Sequence, residues 1–402
     1  MNHVNSTPEY SLASLNLETL DASDPEWKWA GSLEHSPWMN PEFQRITTHI
    51  KQNRLDQNMS VLDPVGLFVR EEPPVRSNKS WMMELYQRFP RCRTLPLAQW
   101  VIPGSHNSAA CTSKCTPQVS KPLSQTQERG IGQQLEDGIR YLDIRCQEVN
   151  GHFYGSHSAV FETRLVNDVL EPIVRFLQQP ESQYEVLLLD TRMDDRFTMV
   201  SNDTVTALYT LILNHLSMYL LQPVRFQSNW SHMTLQNIYT SRCRIILLSH
   251  HYDLLSESHS RLMWKTQVSV SSNIFAYANQ AYDVATMIDF IQKRKSDIPL
   301  VTEFESDTLH VFNISVSCPN QPVGIQSFGF GKFVPSLKIM TSSISPILSD
   351  IMRYQTTDPK TQQMLLPPAT WFNVILSDFY HMYPFVTNCM AMNIGNFESI
   401  GI

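Results

Sequence analysis

The chain has 402 residues, of which 42% are apolar, 10% aromatic and 17% charged, enough for a large core of the ordinary globular kind. Its formal net charge of −7, with 13 histidines counted neutral, argues against non-specific nucleic-acid binding, which needs a basic surface to displace counterions. No stretch approaches the roughly 18 apolar residues of a transmembrane segment, and no cluster of Lys and Arg is suited to an anionic membrane surface.

At the N-terminus no basic region precedes an apolar one, so no signal peptide is expected. Seven cysteines, an odd number scattered along a long chain, fit a reducing compartment better than a disulfide framework. The expectation is a protein that is cytoplasmic or peripheral at membranes, with export by a route lacking a cleavable signal left open. Asn78, Asn229 and Asn313 begin glycosylation sequons that are expected by chance in such a composition.

Residues 1–94 carry Pro8, Pro25, Pro37, Pro41, Pro64, Pro73, Pro74 and Pro90, a density that interrupts helices and central strands. They predict an irregular N-terminal extension with a short helix over 41–52. Trp27, Trp29, Trp38 and Trp81 predict that this extension packs on a partner surface. From residue 95 to 402 the rhythm predicts a single α/β domain. Strands are expected at 100–104, 141–149, 186–193, 244–249, 309–316 and 371–379, and helices at 124–137, 164–178, 204–221, 282–294 and 335–354. The second helix shows its apolar stripe in Leu165, Val169, Ile173 and Leu177 at i+4 steps. Strands alternating with helices imply a parallel sheet, and the number of units favours a closed barrel over an open doubly wound sheet. No Gly-x-Gly-x-x-Gly follows the first strand, which removes the main support for a dinucleotide fold.

Barrel sites lie at the C-terminal strand ends, where three polar closings line up. Ile102-Pro-Gly-Ser leads into His106 and Asn107. Asp143 and Arg145 stand two apart, hence on one face of a strand. Phe153-Tyr-Gly-Ser ends in His157, read as the close of a third strand. Two histidines and an arginine at one mouth suit phosphodiester cleavage: one imidazole removes a proton, the other donates one, and a guanidinium neutralises the phosphoryl oxygens. Alone, Asp143 and Arg145 are equally a buried ion pair. Cys111 and Cys115 have a spacing compatible with zinc, but no second Cys/His pair stands nearby, so no metal is expected.

Ile102-Pro-Gly-Ser-His106-Asn107-Ser, then the run from Gln134 to Arg145, then His157, resembles the X-domain signature of phosphatidylinositol-specific phospholipases C. The variant is that of the bacterial enzymes and the small X-domain-containing proteins. The likeness continues through 185–192, 244–249 and 373–379 and covers roughly residues 95–395. It implies a distorted, incompletely closed TIM-type (β/α) barrel. It also implies roles: His106 as general base, His157 as general acid, Arg145 as stabiliser of the transition state, Asp143 as its positioner and Asp378 as the partner of His106. Arg192 would contact the headgroup of a phospholipid at a membrane surface, and His250 and His251 stand where the bacterial enzymes carry a headgroup-binding arginine. The calcium-dependent enzymes carry a carboxylate in place of Arg145, so the resemblance implies no cofactor. Asn107 stands where the bacterial motif usually has aspartate and the calcium-using enzymes have asparagine, which leaves a weak calcium requirement open and adds Asn107 to the substrate-binding candidates. A catalytically weak relative that binds headgroups or a protein is the alternative reading, and retention of His106, Arg145, His157 and Asp378 together argues against it. A magnesium-dependent glycerophosphodiesterase or sphingomyelinase-D-like barrel fits Asn107 and Arg145 poorly.

Overall fold

The structure is a computed structural model that describes residues 75–194, 200–223, 233–265, 311–315, 337, 338, 341 and 373–399. Its strands are β1 (Ile102–Ser105), β2 (Cys115–Thr116), β3 (Tyr141–Val149), β4 (His152–Ser156), β5 (Val160–Arg164), β6 (Leu187–Met193), β7 (Ile245–Ser249), β8 (Trp264–Lys265), β9 (Val311–Asn313) and β10 (Val374–Ser377). Seven of them run parallel in the order β8-β7-β6-β3-β1-β10-β9. Among the described residues β8 and β9 do not pair, so hydrogen bonds do not close the barrel. The parallel strands are covered on both faces, which is why β7 reads as an uninterrupted Ile-Ile-Leu-Leu-Ser and is buried throughout.

The helices are α1 (Trp81–Arg88), α2 (Lys121–Ser124), α3 (Ile131–Glu136), α4 (Glu171–Leu177), α5 (Asn202–Leu216), α6 (Leu235–Ser241), α7 (Glu257–Ser260) and α8 (Phe385–Ser399). In α5 the Ser201 side chain caps the N-terminus, and Val205, Leu208, Tyr209, Ile212, Leu213 and Leu216 form one buried stripe. Of the helix expected over 124–137 the structure forms α3, with residue 124 closing α2, because Thr126 and Gln127 spend their backbone elsewhere. Thr126 and Gln127 donate to the Ala110 carbonyl, and Thr126 accepts from Phe379. The helix expected over 164–178 opens as a π-turn over 165–170 and becomes α4, where Pro172 cannot donate to residue 168. The helices expected at 41–52 and 282–294 lie outside the described residues, as does nearly all of 335–354.

Two features differ from the sequence reading. The strand that leads to His157 is not a parallel barrel strand. β3 runs on past β6, and its last residues pair antiparallel with β4, which pairs with β5, which pairs with β2. The second difference lies in the segment read as an irregular extension. Within it, residues 81–88 are helical, and Trp81, Met82, Leu85 and Cys92 are buried in the main core. The Trp81 indole donates to the Gly138 carbonyl at 2.9 Å.

That segment is tied down by a fully buried ion pair. Arg140 donates through Nε to Glu185 at 2.7 Å, through Nη1 to the carbonyls of Leu135 and Ile139, and through Nη2 to that of Lys79, and it lies over the Phe176 ring. Glu185 also accepts from the Met83 amide at 3.1 Å. Burial pushes Glu185 up and Arg140 down, against both charges, so the pair depends on these partners. Arg140→Ala is expected to cost about 3–5 kcal/mol by stranding Glu185, and Arg140→Met with Glu185→Leu to recover most of it. Urea unfolding tests this; a loss below about 1 kcal/mol in the single variant would contradict it.

Candidate active site

The mouth of the barrel is assembled on β1. Gly104 lets this strand sit against its neighbours, since a Cβ there would lie 2.5 Å from Leu376 Cδ2. The β1–β10 register pairs Ser105 with Ser377, so the next residues, His106 and Asp378, leave the two strands side by side. Both are buried, and His106 Nδ1 meets Asp378 Oδ1 at 2.7 Å. Burial pushes the Asp378 carboxyl well above the usual range, and Ser315 and Arg145 offset this only in part. Gln127 fixes the junction by donating from one amide nitrogen to the carbonyls of both His106 and Ser377, each at 2.9 Å.

The β3–β6 register places Asp143 beside Asp190 and Arg145 beside Arg192. Asp143 accepts from Arg145 Nε at 3.1 Å and from Nη2 at 2.8 Å, a two-point hold that fixes the guanidinium plane. The same carboxylate accepts from the Asn107 amide at 3.0 Å and lies 3.6 Å from Arg192 Nη2 and 4.0 Å from His106 Nε2. Burial works against its charge, yet Arg145, Arg192 and His106 outweigh this and hold the Asp143 carboxyl well below the usual range.

His157 enters from the hairpin. A Cβ at Gly155 would lie 2.5 Å from the Ala109 carbonyl, so glycine is what lets β4 approach the loop after His106. The His157 ring centroid is 5.5 Å from that of His106, at 75°, and His157 Nδ1 meets the Ser124 carbonyl at 2.8 Å. That contact assigns the Nδ1 proton and leaves Nε2 as the exchanging atom.

His106, Asn107, Asp143, Arg145, Arg192 and Asp378 thus form one contact network with His157 facing it. His250 stands one strand further along, its Nε2 2.8 Å from Asp190 Oδ1, and Tyr141 donates to the other oxygen of Asp190 at 2.6 Å. His251 turns away and accepts from the Met193 amide. Sequence reasoning missed Asp190, Thr126 and Gln127. The repeated Leu-Asp-x-Arg of β3 and β6 was a usable signal for Asp190; nothing local marks Gln127. Cys111 and Cys115 are buried thiols, each pushed up to about 11 by burial, which suits neither to nucleophilic chemistry. Among the described residues no three His, Cys, Asp or Glu are grouped to hold a metal ion.

Over 176 residues, 44% of its length, the chain is 30% identical to the 1-phosphatidylinositol phosphodiesterase of Listeria monocytogenes, covering 50% of that protein. It is also 30% identical over 139 residues, 28% of its length, to the human PI-PLC X domain-containing protein 1, covering 41% of it. The chain therefore spans about half the length of the curated relatives it matches, or less. No family model matches. Among solved structures, the phosphatidylinositol-specific phospholipase C of Listeria monocytogenes superposes with a TM-score of 0.53 at 22% identity, over 79% of this chain and 99% of that one. A Staphylococcus aureus enzyme of the same description, a double mutant, gives 0.54 at 16% identity, over 80% of this chain and 99% of that one. These likenesses show the fold, an incompletely closed TIM-type barrel, as the sequence resemblance implied.

An acid whose carboxyl is raised in the folded state contributes stability below its unfolded value, near 4, and loses it as pH rises through the folded value. Asp378 is such a group. Asp378→Asn is therefore expected to raise Tm at pH 8, with a gain that shrinks towards pH 5, while kcat falls by about 100-fold or more. Thermal melts at both pH values decide it; a lower Tm at pH 8 would show that the charge stabilises the fold.

Proposed function

We propose that the chain is a phosphoric diester hydrolase of phospholipase C type, cleaving the glycerol–phosphate bond of a phosphoinositide or a related phospholipid. One observation carries the reading: two imidazoles stand edge to face with centroids 5.5 Å apart, each with its Nδ1 engaged, by Asp378 and by the Ser124 carbonyl, beside a guanidinium held in plane by Asp143. The names of the two relatives, which refer to phosphatidylinositol, support the substrate class.

In this mechanism His106 Nε2 takes the proton from the headgroup hydroxyl adjacent to the phosphate, and Asp378 at Nδ1 stabilises the imidazolium that forms. The hydroxyl oxygen attacks phosphorus and closes a cyclic phosphodiester. The glycerol oxygen departs with a proton from protonated His157. Arg145 neutralises the equatorial oxygens, and its fixed plane makes this stabilisation preorganised. Arg192 and His250, further round the mouth, would meet the headgroup. The substrate reaches the site from a membrane surface; among the described residues no helix is long and apolar enough to cross a membrane. No metal is part of the mechanism, because Arg145 supplies the charge a divalent cation would otherwise bring.

Headgroup-labelled phospholipids incubated with EDTA, followed for cyclic and open phosphate products, test the reading. Activity is expected to survive EDTA. Complete loss restored by calcium would overturn the metal-free mechanism, and no turnover of any lipid in either condition would favour a headgroup-binding module.

His106→Ala and His157→Ala are each expected to lower kcat by at least about 100-fold. A substrate with a very good leaving group should rescue only His157→Ala, since its departing oxygen needs no proton. Equal rescue of both variants would contradict the assignment of base and acid.

A further inference from the structure

Asn107 makes a contact that the mechanism above does not use. Its side-chain amide Nδ2 lies 3.0 Å from His106 Nε2, the atom assigned to take the substrate proton. With the Nδ1 proton directed at Asp378, neutral His106 presents a lone pair at Nε2, and the amide donates to it. The other end of the same amide, Oδ1, is buried and has no hydrogen-bond partner among the described residues. An acceptor in that state is costly and is normally matched by a donor that arrives.

The backbone of Asn107 cannot move to resolve this. It sits in the left-handed region at φ 42°, its N–H donates to Asp143, and its carbonyl accepts from the Thr126 hydroxyl at 3.0 Å and the Ala110 amide at 2.8 Å. With the backbone held, the amide can turn about the terminal torsion of the side chain, which for asparagine is soft and roughly two-fold. A half-turn exchanges Nδ2 and Oδ1 in front of His106.

We propose that Asn107 is a positioning residue that follows the state of His106: it donates to the Nε2 lone pair of the free enzyme, gives that lone pair up to the substrate hydroxyl, and turns to accept from the imidazolium once the substrate proton has arrived. The inference rests on the assignment of His106 as general base. Before proton transfer Oδ1 is unmatched; afterwards Nε2–H is a new donor directly in front of it. The contact made after transfer is charge-assisted, from an imidazolium to a carbonyl oxygen, where the one before it is neutral, so the amide interacts more favourably with the state in which charge has developed. The groups facing His106 are Asp378 at Nδ1, Asp143 at 4.0 Å from Nε2, Arg145 held on Asp143, and His157 across the site. Beside these, Asn107 is a neutral group whose contact can reverse sign.

Two substitutions separate this role from a backbone role. Glycine suits φ 42° at least as well as asparagine, so Asn107→Gly should keep the fold and its Tm. It is expected to lower kcat about 10-fold or more with KM changed less than about two-fold, the pattern of an interaction made only as the reaction proceeds. Asn107→Asp places a fixed acceptor and a charge at Nε2, which holds His106 protonated. The rising limb of its kcat/KM profile should move up by about one pH unit or more, with activity regained at higher pH. Turnover of labelled phosphatidylinositol in mixed vesicles, in EDTA, measures both. Wild-type kcat in Asn107→Gly, or an unshifted limb in Asn107→Asp, would overturn the inference. So would wild-type activity lost in EDTA and restored by calcium, which would assign Oδ1 to a cation. The control is His106→Ala: if it stays active, the general-base assignment fails; if it is inactive while Asn107→Gly is normal, only the role of Asn107 fails.

Discussion

The mouth of the barrel is organised around one buried carboxylate, that of Asp143. It takes both points of the Arg145 guanidinium and the amide of Asn107, and it lies within reach of Arg192 and His106. These groups come from β1, β3 and β6, three neighbouring strands, so a single side chain fixes how their ends stand relative to one another. A carboxylate this deeply buried is tolerated only because cations surround it, and they hold its carboxyl well below the usual range. The consequence for chemistry is direct. Arg145 cannot swing out to pair with solvent anions, and its outer edge is presented in a fixed plane.

The second constraint is the excess length of β3. A nine-residue strand beside a seven-residue one leaves backbone beyond the barrel rim that needs a partner, and the β4–β5 hairpin supplies it. His157 reaches the site by this route. Its position therefore depends on Gly155 passing the Ala109 carbonyl and on the Ser124 carbonyl that holds its ring. Residues 125–127, which interrupt the helix expected there, are spent on joining β1 to β10 through Thr126 and Gln127. The irregular segments around the mouth are thus the ones that set side-chain positions, as loops on a rigid scaffold commonly do.

Much of this was legible in the sequence, for physical reasons that differ by residue. Strand β7 and the opening Leu187–Leu189 of β6 are continuous apolar runs because both faces are covered there, and β3, β6 and β7 were read within a residue or two of their observed ends. Asp143 and Arg145 announced a shared face by their spacing of two, and the structure brings them into contact. The direction of β4 was not legible, because an apolar run ending in histidine looks the same in a parallel strand and in a hairpin; only the pairing partner tells them apart. Nor was the helix at 81–88, whose Trp81, Met82 and Leu85 pack into the core from a stretch dominated elsewhere by proline. Gln127 was invisible, since its importance lies in two carbonyls 21 and 250 residues away.

Among the described residues Arg140–Glu185 and Arg145–Asp143 are both buried arginine–carboxylate pairs, and their difference separates framework from site. Arg140 engages a carboxylate and several carbonyls, so little of its donor capacity is left over. It does one thing, holding residues 78–88 against the barrel. At the mouth the accounts do not close in the same way: Asn107 Oδ1 and Arg192 Nε are buried without hydrogen-bond partners among the described residues. Unmatched polar atoms are a liability in a framework, and a fold that keeps them beside a strained backbone residue and a carboxylate raised by burial is trading stability for something else. A phosphodiester headgroup brings both anionic acceptors and hydroxyl donors. On the function proposed above, its anionic oxygens would meet Arg192, and proton transfer to His106 would supply the donor that Asn107 Oδ1 lacks.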